Sequence, residues 1–134
     1  MQPEWVKSSV FYQIFPERFA NANASINPNP VESWDKSPTR DNFFGGDLKG
    51  ISEHLSYLSD MGVNALYLTP IFKADTNHRY DAIDYFKIDS RLGNDADFDE
   101  FIKRAHELQI RVVLDGVFNH CGIGHWAFQD VVRN

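Results

Sequence analysis

The sequence has a single cysteine, few basic residues and no long apolar run. Because Cys121 has no second cysteine to pair with, an intrachain disulfide framework is excluded. Lys and Arg total 13 against 19 Asp and Glu, which gives a net charge of −6. A nucleic acid is therefore not an expected partner, since binding a phosphate backbone requires clustered basic side chains.

Segments that direct a protein to a membrane are also missing from the pattern. No stretch approaches the length of a membrane-spanning helix. The first residues, Met1 to Trp5, have neither the basic start nor the apolar core of a signal peptide. We therefore expect a cytoplasmic protein with no membrane partner.

The composition and the apolar pattern predict a folded α/β domain. Of the 134 residues, 43% are apolar and 14% aromatic, which is enough to bury one core. Short apolar runs predict strands at residues 10–15, 63–68 and 110–114, and the last run should be buried on both faces. Long irregular loops are predicted at residues 20–42 and 69–94.

Two amphipathic helices are predicted between these strands. The first is capped by Asp47 and ends at Gly62, and the second has a possible capping box at Asp97 and Glu100. A further helical pattern covers residues 124–133. The apolar stripes consist of Ile51, Leu55 and Leu58 in the first helix and Phe98, Phe101, Ile102, Ala105 and Leu108 in the second.

Alternating strands and helices favour right-handed crossovers and a parallel sheet. By pattern alone, three such strands are compatible with a flavodoxin-like sheet or with part of a barrel. Asp115 follows the third strand directly, and Asn119 and His120 come shortly after it. The carboxyl ends of parallel strands are where α/β folds bind ligands, so this edge is the predicted site.

Five ordered motifs identify a resemblance. They read FYQIFPERFAN at residues 11–21, FGGDL at 44–48, HRYDAIDY at 78–85, FNHCG at 118–122 and HWAFQD at 125–130. With these motifs the chain resembles the α-amylase family of glycoside hydrolases, and within it the group of neopullulanases, cyclomaltodextrinases and maltogenic amylases. The likeness extends from about Trp5 to Asn134.

The resemblance implies a partial TIM (β/α)8 barrel. A complete barrel typically needs about 250 residues, so the chain would supply strands one to three with their helices. Residues 1–118 would belong to the barrel, and residues 119–134 would begin the insertion that the family carries after its third strand.

The implied activity is that of a retaining glycoside hydrolase acting on α-1,4-glucans or cyclodextrins. Such an enzyme needs a carboxylate nucleophile and a carboxylic acid about 5 Å apart, and the family places these groups on later strands, beyond Asn134. The chain alone is therefore predicted to be inactive. The alternatives are a non-catalytic amylase-like protein for carbohydrate binding or assembly, and a free-standing small α/β binding domain.

The resemblance also predicts a set of substrate-binding residues. His120 matches a histidine that hydrogen-bonds the sugar, Asp115 an acid that orients polar groups, and Tyr80 an aromatic platform for a pyranose ring, with His78 and Asp81 shaping the same edge. Each also has a structural interpretation. His120 could be a satisfied loop histidine, Asp115 a turn residue and Tyr80 ordinary packing.

No cofactor is expected to be required, but a weak calcium site is a candidate. The aligned ligands are Asn21, Asn23, Asn27, the Gly45 carbonyl and Asp47. Asparagine stands at positions 23 and 27, where the group usually has aspartate, and affinity for calcium follows the number of carboxylates. Calcium binding is therefore predicted to be weak or missing, and Asp47 could instead be only a helix cap.

Other metals are less well supported by the sequence. Asn119 matches a calcium ligand of many α-amylases, but that site is generally missing from the most similar group. His120, Cys121 and His125 match no standard zinc spacing.

The expected partner is an α-glucan or cyclodextrin, and open sheet edges predict self-association of the chain.

Overall fold

A computed structural model describes residues 3–134, which form two small sheets and four α-helices. The elements in chain order are β1 (Phe11–Ile14), α1 (Leu48–Glu53), α2 (Leu55–Asp60), β2 (Ala65–Leu68), β3 (Phe72–Ala74), β4 (Ala82–Ile88), α3 (Asp95–Glu107), β5 (Arg111–Leu114) and α4 (Trp126–Arg133). Short 3₁₀ turns lie at Glu4–Ser8, Pro16–Arg18 and Ala24–Ile26.

The larger sheet is parallel, with the strand order β1-β2-β5, as the alternation of strands and helices predicted. Its register places Gln13, Tyr67 and Val113 side by side on neighbouring strands. Because side chains alternate along a strand, the next residues, Ile14 and Leu68, lie on the opposite face. This face holds the core.

The core lies between the sheet and helices α1 to α3. The predicted stripe residues Ile51, Leu55, Leu58 and Phe101 are fully buried there against Leu66. Each such side chain contributes roughly 1.5–3 kcal/mol through removal from water. Burial on both faces, predicted for the third strand, is wrong for β5, whose residues 112–114 are only half-buried because β5 is an edge strand.

The helix predicted from Asp47 to Gly62 is two helices, because it is interrupted at His54. Asp47 caps α1 as predicted, and Gly62, with a φ of 84°, follows α2. At the break, His54 Nδ1 lies 2.8 Å from the Gly50 carbonyl oxygen, which an uninterrupted helix would offer to the His54 N–H. The His54 N–H instead donates to Ile51 O at 3.0 Å.

Helix α3 begins earlier than its predicted capping box. The box consists of Asn94 and Asp97, since Asn94 Oδ1 accepts from the N–H of Asp97 at 3.2 Å and Asp97 Oδ2 accepts from the N–H of Asn94 at 2.9 Å. The interpretation with Asp97 and Glu100 is therefore wrong. Asp97 is the third residue of the helix, where its own N–H is capped by Asn94, and Glu100 lies deeper in the helix.

The segment 69–94 is not an irregular loop as predicted. It contains an antiparallel hairpin in which Ala74 pairs with Ala82 and Phe72 with Ile88. The pairing is irregular on either side of Lys73, and β3 has only three residues, so the run was too short and uneven to show a strand pattern. In contrast, segment 20–42 is largely irregular, as predicted.

Helix α4 and the sheet edges expose apolar side chains. The predicted helix at residues 124–133 is confirmed as α4, and its Trp126 and Val131 are exposed. Phe11 on the edge strand β1 is also exposed. Self-association through these surfaces stays a prediction. Within residues 3–134, no helix is long and apolar enough to cross a membrane.

A buried glutamate joins the start of the chain to the segment before α1. Glu17 Oε1 accepts from the N–H groups of Phe44 and, at 2.9 Å, Gly45. The Gly46 N–H donates to Glu17 O at 3.0 Å. The two backbones approach so closely that a Cβ on Gly46 would lie 2.1 Å from Pro16 O. Only glycine fits at this crossing.

This contact predicts that Gly46→Ala destabilises the chain by about 3 kcal/mol, because the added methyl group would separate two hydrogen-bonded segments. Gly62→Ala is the matched control. A Cβ on Gly62 would meet no atom within 4 Å, so only the strain of a positive φ remains, at about 1 kcal/mol. Urea unfolding of both variants measures the difference. Equal losses would show that the crossing tolerates a side chain.

Candidate functional site

The site begins where β2 and β5 end. Asp115 follows β5 directly, and Tyr67 lies in β2 opposite Val113, two residues before Asp115. Because residues two apart share a face of the sheet, Asp115 and Tyr67 project to the same side. The Tyr67 hydroxyl donates to Asp115 Oδ2 at 2.6 Å. This contact fixes the carboxylate at the edge of the sheet.

A second phenol, from the hairpin segment, reaches the same oxygen. The Tyr80 hydroxyl donates to Asp115 Oδ2 at 2.8 Å. The hydrogen bond to Asp115, with burial and the charge of Asp115, raises the pKa of Tyr67 to about 12. Burial and the same carboxylate also raise the pKa of Tyr80. Both phenols are thus neutral donors at neutral pH, and Asp115 is an oriented acceptor.

His120 joins this group through the backbone of Tyr80. Its Nδ1 lies 2.7 Å from Asn119 Nδ2, and its Nε2 lies 2.9 Å from Tyr80 O. An amide nitrogen can only donate and a carbonyl oxygen can only accept, so these partners assign the proton to Nε2. The ring is exposed. A ligand that accepts from Nε2 would have to replace the Tyr80 carbonyl.

His78 and Asp81 lie beside this group with different partners. The Tyr80 N–H donates to His78 Nδ1 at 3.1 Å. Asp81 Oδ2 accepts from the Thr76 N–H at 3.2 Å, and Oδ1 accepts from the Thr76 hydroxyl. Burial tends to raise the pKa of Asp81, but these hydrogen bonds outweigh it and lower the pKa. Asp81 therefore closes a turn.

The structure thus divides the predicted substrate-binding residues. Tyr80, Asp115 and His120 are joined directly by hydrogen bonds, and His78 is joined to them through the Tyr80 N–H. Asp81 bonds to Thr76, whose hydroxyl oxygen also lies 3.2 Å from His78 Nδ1, and shapes the turn from which Tyr80 projects. Six residues of this network are called the Tyr80 edge: Tyr67, His78, Tyr80, Asp115, Asn119 and His120.

Two tyrosines of the site were not predicted. Tyr67 could have been found from register, because a polar side chain near the end of β2 must face the end of β5. Tyr85 supports the segment that carries His120: its hydroxyl lies 2.7 Å from the carbonyl oxygens of both Val117 and His120. The HRYDAIDY motif contains Tyr85, but no local pattern gives the partners of its hydroxyl.

The calcium candidates lie near Asp47, whose carboxylate accepts three backbone N–H groups of the chain. Its Oδ1 accepts from the Gly50 N–H at 2.6 Å. Its Oδ2 accepts from the N–H groups of Ala22 at 3.0 Å and Asn23 at 2.7 Å. Asp47 is both a helix cap and the fastening point of the segment that precedes it.

The asparagines of the set bond to the chain as well. Asn21 Nδ2 donates to Asn27 Oδ1 at 2.9 Å, and Asn23 Oδ1 accepts from the Ser25 hydroxyl at 2.6 Å. A Cβ on Gly45 would lie 2.6 Å from both Asn21 Nδ2 and Asn27 Oδ1, so this backbone packs directly on the amide pair. As arranged, the side-chain oxygens of Asn23 and Asn27 accept from donors of the chain.

The transition-metal alternative gains no support from the arrangement. Between residues 3 and 134, no three His, Cys, Asp or Glu side chains are grouped to hold one metal ion. His125 instead caps α4, where its Nδ1 accepts from the Ala127 N–H at 3.3 Å. Cys121 is exposed.

The chain is similar in sequence to one family of known proteins. The family profile described as "Alpha amylase, catalytic domain" matches residues 13–134. The chain is 54% identical over 133 residues to a cyclomaltodextrinase of Geobacillus thermopakistaniensis strain MAS1, and 51% identical over 133 residues to an intracellular maltogenic amylase of Bacillus subtilis strain 168. The matches cover 98% of this chain but only 23% of each relative.

Solved structures agree with the sequence comparison. The chain superposes on a cyclic α-maltosyl-(1→6)-maltose hydrolase from Arthrobacter globiformis with a TM-score of 0.96, at 60% identity. The match covers 100% of this chain and 30% of that one. That hydrolase has also been solved in complex with maltose and with cyclic α-maltosyl-(1→6)-maltose.

The shared carboxylate predicts a change in tyrosine titration on replacing Asp115. In Asp115→Asn, loss of the charge should return the pKa of Tyr67 from about 12 toward its ordinary value of 10.0. Absorbance at alkaline pH measures phenolate, and the same replacement in a Tyr67→Phe background is the control. Below pH ~11 the extra phenolate should be larger when Tyr67 is present, because the Tyr67→Phe control reports only the release of Tyr80 from Asp115. An unchanged titration would contradict the assigned contact.

Proposed function

Because the chain belongs to the α-amylase family of catalytic domains, we propose that it supplies part of a retaining glycoside hydrolase acting on α-1,4-glucans or cyclodextrins. In this proposal β1, β2 and β5 are the first three strands of a (β/α)8 barrel. Residues 1–118 belong to the barrel, and residues 119–134 begin the insertion after its third strand. The names of the similar proteins support the choice of substrate class.

The observation that carries the proposal is the Tyr80 edge. It lies at the carboxyl ends of parallel strands, where barrel enzymes bind their substrates. Tyr80 is 37% exposed as a residue while its hydroxyl is held by Asp115, so part of the side chain remains accessible to a ligand. A tyrosine ring can cover the apolar face of a pyranose while Asp115 and His120 bond to sugar hydroxyls.

Within this chain the proposed chemistry is binding and orientation. Asp115 is held by two neutral phenols on one oxygen, which suits a fixed acceptor better than a group that exchanges protons with a substrate. We assign the nucleophile and the acid to carboxylates outside residues 1–134. Bond cleavage then requires those carboxylates on opposite sides of the bond, about 5 Å apart.

The name of the intracellular relative supports a cytoplasmic location.

The proposal predicts that the complete enzyme loses activity when the Tyr80 edge is truncated. His120→Ala should lower kcat/KM roughly 10- to 100-fold, and Tyr80→Ala about tenfold, because contacts to the reacting sugar are lost. The measurements are rates on cyclodextrin, starch and pullulan. The 134-residue chain alone should show no turnover on any of them, since it lacks the proposed pair of carboxylates.

Matched controls separate contact from folding. Tyr57→Ala and His106→Ala remove an exposed tyrosine and an exposed histidine from the helices. These variants should keep the activity of the parent enzyme within twofold. Equal losses in control and edge variants would contradict the proposed roles. Sugar binding without turnover in the complete protein would favour the non-catalytic alternative.

We propose that the segment around Asp47 is held by hydrogen bonds and needs little help from calcium. With a dissociation constant near 1 mM or weaker, 1 mM calcium stabilises by about 0.4 kcal/mol, a rise in Tm of about 2 °C. Thermal unfolding with calcium, with magnesium and with a chelator measures the effect. Asn23→Asp with Asn27→Asp should increase the response. A rise of many degrees at micromolar calcium would contradict the proposal.

A further inference from the structure

Arg79 lies between two residues of the Tyr80 edge but points away from it. His78 and Tyr80, its chain neighbours, are half-buried and exposed, respectively, whereas the Arg79 side chain has 0% exposure. Its φ of 60° is in the left-handed region. Apart from Arg79, only Gln109 combines a side chain with a positive φ in the part of the chain that the structure describes.

The buried guanidinium has two anchors. Nη1 donates to the Asn77 carbonyl oxygen at 2.7 Å, and Nε lies 3.1 Å from Asp89 Oδ2. Arg91 holds the same carboxylate from another side, with Nη2 at 2.6 Å from Oδ2 and Nε at 2.9 Å from Oδ1. Burial tends to raise the pKa of Asp89, but the hydrogen bonds from Arg91 and the charge of Arg79 outweigh it and lower the pKa.

The anchors tie the edge to two other segments. Asn77 Nδ2 donates to the carbonyl oxygens of Arg40 and Asn42, at 2.9 and 2.8 Å. Asp89 follows β4, and its N–H donates to Ile71 O at 2.9 Å. Arg79 therefore connects the turn that carries Tyr80 to the base of the hairpin and, through Asn77, to the long segment after β1.

Both the burial and the backbone conformation of Arg79 are unfavourable by themselves. Burial lowers the pKa of its guanidinium, against the charge of Asp89. Nη2 is buried without a hydrogen bond among the described residues, and Nε pairs with Asp89 by charge at 3.1 Å without a well-aligned hydrogen bond. A side chain also disfavours a positive φ, which glycine would adopt freely. Residues held in this way persist only where their surroundings fix them, and they cluster at functional sites.

We propose that Arg79 is a positioning residue of the substrate site, whose buried anchor on Asp89 and the Asn77 carbonyl sets His78 and Tyr80 toward Asp115 and His120. The proposal rests on the proposed function for its effect on substrate, although the geometry of the edge can be tested without substrate. Loss of the anchor frees the turn, so that the Tyr80 hydroxyl no longer stays on Asp115 and the ring no longer has a fixed orientation.

Arg91 provides a control because it binds the same carboxylate oxygen but has no neighbour in the Tyr80 edge, and its other hydrogen bonds go to the carbonyl oxygens of Ala74 and Asp75 at the end of β3. Arg79→Met and Arg91→Met each remove one cation from Asp89. A purely structural role predicts similar effects of the two replacements on activity at equal loss of stability. A positioning role predicts that Arg79→Met lowers kcat/KM beyond any loss caused by lower stability, because a small displacement of a group that contacts the substrate is costly in rate.

The test uses the complete enzyme with cyclodextrin as substrate. Arg79→Met should lower kcat/KM between ~10- and 100-fold. Arg91→Met should stay within twofold of the parent. Each enzyme is assayed at the same number of degrees below its own Tm. Arg79→Lys keeps a charge beside Asp89 and should recover part of the loss. If Arg79→Met does not fold, Arg79→Gly, which accepts the positive φ, takes its place.

A second readout is independent of turnover. Alkaline titration with and without Tyr80→Phe isolates the Tyr80 phenol, whose pKa is raised in the parent. In the Arg79 variant this pKa should fall toward 10.0, and in the Arg91 variant it should stay raised. Equal activity losses in both variants, or an unchanged Tyr80 titration, would overturn the inference. A parent without glycosidase activity would overturn the proposed function and leave the titration as the test of positioning.

Discussion

The hydrogen bond from Tyr67 to Asp115 is the contact on which the site depends. It links the ends of two neighbouring parallel strands. It exists because the register sets Tyr67 beside Val113, two residues before Asp115, so that both side chains lie on the same face. Once the carboxylate is fixed, Tyr80 can reach the same oxygen, and the Tyr80 carbonyl can hold His120. A one-residue slip of β5 would turn Asp115 to the opposite face and remove its contacts with both tyrosines.

Away from the site, buried carboxylates fasten long irregular segments to the core. Glu17 accepts backbone N–H groups from residues 44 and 45, and Asp47 accepts them from residues 22, 23 and 50. Asp89 holds two arginines near the hairpin. An anion that accepts several backbone N–H groups replaces the missing regular hydrogen bonds of an irregular segment. In these irregular segments, acidic side chains therefore supply the backbone hydrogen-bond partners that helices and strands supply elsewhere in the fold.

Sequence reasoning predicted the elements that leave a periodic apolar pattern in the sequence. It missed the features that depend on single contacts. The stripe of Ile51, Leu55 and Leu58 predicted a buried helical face, but the break at His54 depends on one ring bonding to one carbonyl. The apolar runs predicted the parallel sheet, whereas the short, irregular β3 left no pattern. Tyr80, Asp115 and His120 were named through the family resemblance, and the structure joins them by hydrogen bonds, although their role toward substrate stays a prediction. Tyr67 and Arg79 were not, because their roles arise from register and from a backbone turn that the sequence alone does not show.

The hairpin of β3 and β4 has a consequence for how a ligand would be received. A flexible loop must lose conformational entropy when it closes on a ligand, and that loss weakens binding. Here the turn that carries Tyr80 is ordered during folding by strand pairing and by the buried arginine, so the loss has already occurred before any encounter. Association at this edge should then depend mainly on desolvation and direct contacts, with little cost for ordering the protein.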